Sequence, residues 1–166
     1  LLCLGLGGWV FYNTNVLNRY QPATEQDAQL AEYEKTFLPF RELPRPTVTH
    51  VTLAVDLFPR EVRAVTRGNY LLENRTGVPL SQVHVRWDPN LTMTTMDLDG
   101  ATVAKDHGDF HYRIYQLAQP MQPGEKRTLH FQSLLEQRGF SNGAPLTRIV
   151  ENGSFINSRM FPSFGY

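Results

Sequence analysis

The sequence predicts an all-β fold, an antiparallel β-sandwich preceded by a short amphipathic helix and by the end of a transmembrane helix. Three observations carry this expectation. From His50 onward, apolar and polar residues alternate with the period of two that a half-buried strand requires. The 12 Gly and 11 Pro punctuate the chain with turn signals at short intervals. No strong helical pattern separates one predicted strand from the next.

The chain has 166 residues, enough for one domain with an appendage. Its 16 basic and 16 acidic residues balance, which argues against a nucleic-acid surface, because that needs a basic stripe. One cysteine, Cys3, excludes an internal disulfide, so the fold rests on a hydrophobic core drawn from the 41% of apolar residues.

The apolar run Leu1 to Tyr12 is shorter than the roughly 20 residues that cross a bilayer. It lacks the basic start of a signal peptide. Trp9 and Tyr12 stand where an interfacial aromatic belt would stand, and polar Asn13-Thr14-Asn15 follows at once. Residues 1–12 are therefore expected to be the last turns of a membrane helix, with a buried N-terminal element as the alternative. Residues 13–46 read as a spacer. Within it, Thr24 is the expected cap of a helix over Glu25 to Phe37, with Leu30, Tyr33 and Phe37 on one stripe and Pro39 ending it. Leu43-Pro44-Arg45-Pro46 reads as an extended linker.

Residues 47–166 are the expected sandwich domain. Val51, Leu53, Val55 and Leu57 define an apolar face on the first strand, and Val62, Ala64, Tyr70 and Leu72 continue it on the second. The later strands are expected to cover that face. Gly68 lies on the apolar parity and signals a bulge or a close backbone approach. Val83, Val85 and Trp87 alternate as a third strand. Leu91 and Met93 lie on one parity and Met96 and Leu98 on the other, which places a β-bulge near Thr94-Thr95. A short strand at Ala101 to Ala104, a strand with Phe110, Tyr112 and Ile114, a Pro-Gly turn at Gln122 to Glu125, and a long strand through Leu129 and Phe131 follow. Two short strands are expected at Thr147 to Val150 and Ser154 to Asn157.

Candidate chemistry is sparse. Asp106, His107, Asp109 and His111 could hold a divalent ion, but the same residues form an ordinary inter-strand turn that lets the rings diverge. His50, His84 and His130 fall on the wet parity of three strands, as exposed sheet positions or, if those strands are neighbours, as a row. No H-E-x-x-H, G-x-S-x-G or phosphate-cradling glycine loop is present. Cys3 lies in the apolar run, where a thiolate is costly. Asn74, Asn90 and Asn152 begin glycosylation-type triplets that are frequent by chance. Phe161, Phe164 and Tyr166 crowd around Pro162. They read either as a strand closing the core or as a junction that docks on a further domain. A docking junction leaves them exposed in the isolated chain, and a self-contained module buries them.

Val51 to Pro59, then Arg67 to Thr76, resemble the N-terminal β-sandwich of aminopeptidase N-like zinc metallopeptidases. The resemblance extends through Gln122-Pro123-Gly124-Glu125 to Phe161-Pro162-Ser163-Phe164, which is similar to the segment leading into the catalytic domain. Gly8 to Asn18 and Ala31 to Lys35 resemble a bacterial branch fused to the membrane helices of an ABC-transporter-type permease. The resemblance implies a non-catalytic, extracytoplasmic sandwich, anchored to the membrane through residues 1–12 and packed on a following peptidase-like domain. It implies no cofactor within these residues, zinc in that further domain if the parent is active, and no nucleic-acid partner. It also implies an amine-holding side chain between Glu151 and Ser154, where Glu151 is the only acid. Gly165-Tyr166 departs from the acid and proline usual after the Phe-Pro-x-Phe segment. The reading from a different class is a free-standing Ig-like binding module on a membrane stalk.

Overall fold

A computed structural model describes residues 2–143 and 148–166. Its strands are β1 (Thr47–Phe58), β2 (Arg63–Glu73), β3 (Leu80–Arg86), β4 (Leu91–Leu98), β5 (Ala101–His107), β6 (Tyr112–Met121), β7 (Lys126–Glu136) and β8 (Ser163–Phe164). They form two four-stranded antiparallel sheets, ordered β1-β2-β7-β4 and β5-β6-β3-β8. The sheets close over one core. Tyr70, Leu72, Leu129 and Phe131 of the first sheet pack with Val83, Val85, Tyr115 and Leu117 of the second. Across that core, the Tyr115 hydroxyl donates to the Met96 carbonyl at 2.5 Å.

The expected devices inside the first sheet are present. Even-numbered residues of β2 from Ala64 to Leu72 are buried. The β4–β7 register slips between Met93 and Thr95, at the predicted bulge. A Cβ on Gly68 would stand 2.2 Å from Phe131 Cζ and 2.8 Å from Leu53 Cδ2, so only glycine admits the ring at that point. Gly124 takes φ +85° in the Pro-Gly turn, where the Glu125 amide donates to the Gln122 carbonyl at 2.9 Å. The Asn74 side chain is fully buried behind this turn, and its amide donates to Val78 O and Met121 O at 2.9 and 2.7 Å. Asn74 therefore holds the loop, which is incompatible with a glycan at that triplet.

Two hairpins share one turn. Pro59–Glu61 and Gly108–Phe110 are 3₁₀ turns, each followed by a non-glycine residue in the left-handed region, Val62 at φ 48° and His111 at φ 54°. Each such residue costs about 1–2 kcal/mol relative to glycine. The flanking strand pairs hold them in place.

Helix α1 (Leu2–Phe11) continues into a π-helical stretch, Tyr12–Leu17. No helix among the described residues is long and apolar enough to cross a membrane. The side chains of Asn13 and Thr14 donate to Trp9 O and Val10 O, both at 2.9 Å. Asn18 donates to Arg138 O at 2.9 Å and ties this stretch to the end of β7. Helix α2 (Ala23–Phe37) begins two residues before the expected start. Thr24 is not its cap, because it lies inside the first turn; Pro22 is the N-cap residue, without a side-chain bond, and its carbonyl accepts from the Glu25 and Gln26 amides.

The helix lies against the outer face of the second sheet. Phe37 is fully buried, 4.2 Å from the Tyr112 ring and 4.9 Å from the His107 ring between centroids. Burial of that ring is worth about 2–3 kcal/mol. Of the expected stripe, Phe37 is buried, Tyr33 is half-buried and Leu30 is exposed, so only the C-terminal part of the helix is covered. Ser154 to Asn157 is irregular and not a strand, and a 3₁₀ turn at Ser158–Met160 follows. The strand expected from Thr147 begins outside the described residues.

Gly68→Ala should cost about 1–3 kcal/mol in urea unfolding, because the new methyl forces the Phe131 ring aside. Phe131→Leu should rescue part of that loss in the double variant, a coupling that independent sites would not show.

Candidate docking surface

The inner face of β1 is only partly covered: Val48 packs against the core and Val55 is half-buried. The β1–β2 register pairs Val51 with Tyr70, Leu53 with Gly68, Val55 with Thr66 and Leu57 with Ala64, all on the face that bears the core. Yet Val51, Leu53 and Leu57 are 48%, 36% and 37% exposed. The expectation that later strands cover this face is corrected for β1. The reason is topological. The second sheet ends at β8, which contributes two residues, and its Phe164 reaches only as far as Tyr70 on β2, at 6.1 Å between ring centroids. β1 projects one strand further. It is also an edge strand of 12 residues, with no Pro, Gly or Lys to blunt pairing.

The aromatic tail borders this region. Phe161 and Phe164 are half-buried against the shared core. Tyr166 is half-buried as well. It stacks on Tyr33 at 5.9 Å and donates to Glu34 Oε2 at 2.5 Å, which ties the tail to α2. The three rings are thus neither free of the chain nor enclosed by it. Glu151 is exposed and pairs with Arg60 at 3.2 Å, on the turn that joins β1 to β2.

The histidines do not converge. His50 and His130 lie in one sheet with β2 between their strands, and His84 lies in the other. His130 meets Asn69 Oδ1 at 2.7 Å. His84 is buried rather than wet, because α2 and the 3₁₀ turn Leu38–Phe40 cover its face of the sheet. Its Nδ1 is 2.9 Å from the Tyr112 hydroxyl, its ring is 4.8 Å from Phe40, and Nε2 has no partner among the described residues. The expected turn at Asp106 starts later, because Asp106 and His107 end β5 and pair with β6; there Asp106 binds Arg113 at 2.6 Å, His107 packs on Phe37, and His111, after the turn, faces Trp87 at 6.1 Å. These side chains do not fit a zinc site as they stand. Among the described residues, no three His, Cys, Asp or Glu side chains gather around a common point.

Sequence reasoning missed the ion pair of Asp88 and Arg148, 3.3 Å apart and largely covered. Burial raises the Asp88 pKa. The Asn90 backbone and side-chain donors and the Arg148 charge outweigh it and hold the carboxyl below its ordinary value. Sixty positions separate the two residues, and no local pattern joins them. Burial also pushes the Tyr112 phenol up to about 12.

No family model and no curated protein matches the chain. It is similar to solved structures of an M1 zinc metallopeptidase from Deinococcus radiodurans. With the crystal structure of that enzyme it shares 16% identity at a TM-score of 0.46, over 62% of this chain and 23% of the other. With a point mutant of it the identity is 16% and the TM-score 0.44, over 57% and 21%. The chain therefore spans less than a quarter of the length of those two structures.

His84, His107 and His111 all have pKa values held below the ordinary value near 6.5, in each case chiefly by burial. The unfolded chain then takes up protons before the folded one as pH falls. Their contribution is fully present above about pH 6.5 and is lost as pH drops through that value toward the folded pKa values. Stability measured by urea unfolding should therefore fall from about pH 7 to pH 5. His84→Phe should lose about 1 kcal/mol at neutral pH, with the Tyr112 hydrogen bond, and should show a shallower decline on acidification.

Proposed function

We propose that this chain is a non-catalytic, extracytoplasmic β-sandwich domain of a membrane-anchored, aminopeptidase N-like protein, and that it packs on a zinc-peptidase-type domain outside these 166 residues. The partly uncovered inner face of β1 carries the reading. Val51, Leu53 and Leu57 continue the core face of the first sheet, yet the described residues leave more than a third of each exposed. A docked domain would bury them together with the exposed parts of Phe161, Phe164 and Tyr166. The order of the motifs supports the same reading, from Asp56-Leu57-Phe58-Pro59 to Phe161-Pro162-Ser163-Phe164.

Residues 1–12 would form the membrane-proximal end, supported by α1, in which Leu2, Leu4, Leu6, Trp9 and Phe11 are all exposed. Residues 13–46 would be the spacer and 47–166 the sandwich proper. A fused ABC-transporter-type permease before residue 1 belongs to the same proposal. Zinc, and any peptidase chemistry, would belong to the further domain. Glu151 would contribute to a substrate-amine site only after leaving Arg60.

One observation favours a second reading, a free-standing Ig-like binding module on a membrane stalk. Phe161, Phe164 and Tyr166 already make contacts with the chain's own core and helix. Hydrogen exchange separates the two. In the natural polypeptide that carries these residues, β1 amides should exchange at least about tenfold more slowly than in the 166-residue chain alone. Equal rates in the two would reject docking through β1 and favour the module.

A further inference from the structure

A second surface has a different chemistry. Between α2 and the β5–β6 turn lies a cleft of about 720 Å³. It is lined by Tyr33, Phe110 and Trp87, with Arg86 and His111 among them; the Trp87 side chain also packs against the core, and Tyr33 also meets Phe37 and Tyr166. The cleft is built rather than incidental. Gln29 on α2 donates to the Asp109 carbonyl at 3.0 Å and fixes the helix to the turn. Tyr33 and Phe110 meet edge to face at 6.2 Å, and the Trp87 amide donates to the His111 carbonyl at 3.0 Å. His111 is held in the left-handed region as part of this wall.

The lining is rich in uncommitted donors. The Arg86 guanidinium, the Trp87 indole N–H, the Tyr33 hydroxyl and the His111 ring make no hydrogen bond or ion pair with other described residues. Arg86 and Arg19 line the cleft with Asp109; Asp88 also acts on His111 but is paired with Arg148, and Arg19 is paired with Glu25. Arg86 is thus the cation left to meet an anion, and its planar fork matches a carboxylate. The three rings supply flat apolar walls of the kind that binding sites use for aromatic groups.

We propose that this cleft binds a carboxylate borne on an aromatic body, with Arg86 taking the carboxylate and Trp87, Tyr33 and Phe110 enclosing the ring. The site is separate from the β1 surface and does not depend on the docking reading. It lies on the outer face of the second sheet, where α2 makes the opposite wall.

The test titrates N-acetyl-L-phenylalanine into the 166-residue chain in detergent, followed by calorimetry and by amide and indole NMR. Trp9 and Trp87 are the two indoles of the chain, so their N–H signals report separately. Saturable binding should shift the Trp87 indole and leave Trp9 unmoved. N-acetyl-L-phenylalanine amide, which lacks the charge, should bind at least about tenfold more weakly, and Arg86→Gln should weaken binding of the acid by a similar factor. Absence of saturation, equal binding of acid and amide, a shift confined to Trp9, or unchanged affinity in a folded Arg86→Gln chain would each overturn the proposal. If that variant does not fold, the comparison of acid with amide on the native chain still decides.

Discussion

The Phe131 ring fills the space over Gly68 where any side chain would stand, with Leu53 Cδ2 beside it. This contact joins β7, β2 and β1 at one level and leaves little freedom of register, since a one-residue slip would drive a side chain into the ring. Once Gly68 faces Phe131, Tyr70 and Leu72 must face the core, and Val51, Leu53 and Leu57 must lie on the same side. The second sheet does not extend far enough to meet them. The exposed stripe on β1 is therefore a consequence of correct register, combined with a facing sheet that ends at the two residues of β8.

The second sheet is covered on both faces near the β5–β6 turn. Its inner face joins the shared core, and its outer face receives Phe37, Phe40 and Tyr33 around Tyr112 and Ile114. That third layer removes the simple alternation from β6, in which Ile114 and Tyr115 are both buried. It also turns His84 from a surface residue into a buried neutral one. The cleft beside Trp87 exists because α2 meets the sheet through its C-terminal part, while Leu30 stays clear of the packed rings.

What was legible in the sequence was local. The parity of β2, the bulge at Met93–Thr95, the close approach at Gly68 and the Pro-Gly turn each leave a mark within a few residues. What was not legible depended on which element covers which. The alternation of β1 is that of a half-buried strand, but burial also needs a facing strand, and no periodicity records its absence. His84 lies on a polar parity that a distant helix happens to cover. Asp88 and Arg148 meet across sixty positions, and Ser154 to Asn157 stays irregular, with the Phe155 amide donating to the Arg148 carbonyl at 2.7 Å. Among the candidate site residues, Asp106, His107 and His111 are placed by the β5–β6 hairpin, but three different partners draw their side chains apart.

The claim that β1 presents a partly uncovered core face can be measured on the chain alone. Val51→Lys and Leu57→Lys should each shift the unfolding free energy by less than about 1 kcal/mol, as surface substitutions do. Leu72→Lys, which places a charge at a fully buried site on the adjacent strand, should abolish cooperative folding. If Val51→Lys proves as damaging as Leu72→Lys, the face is covered within this chain and the account of β1 is wrong.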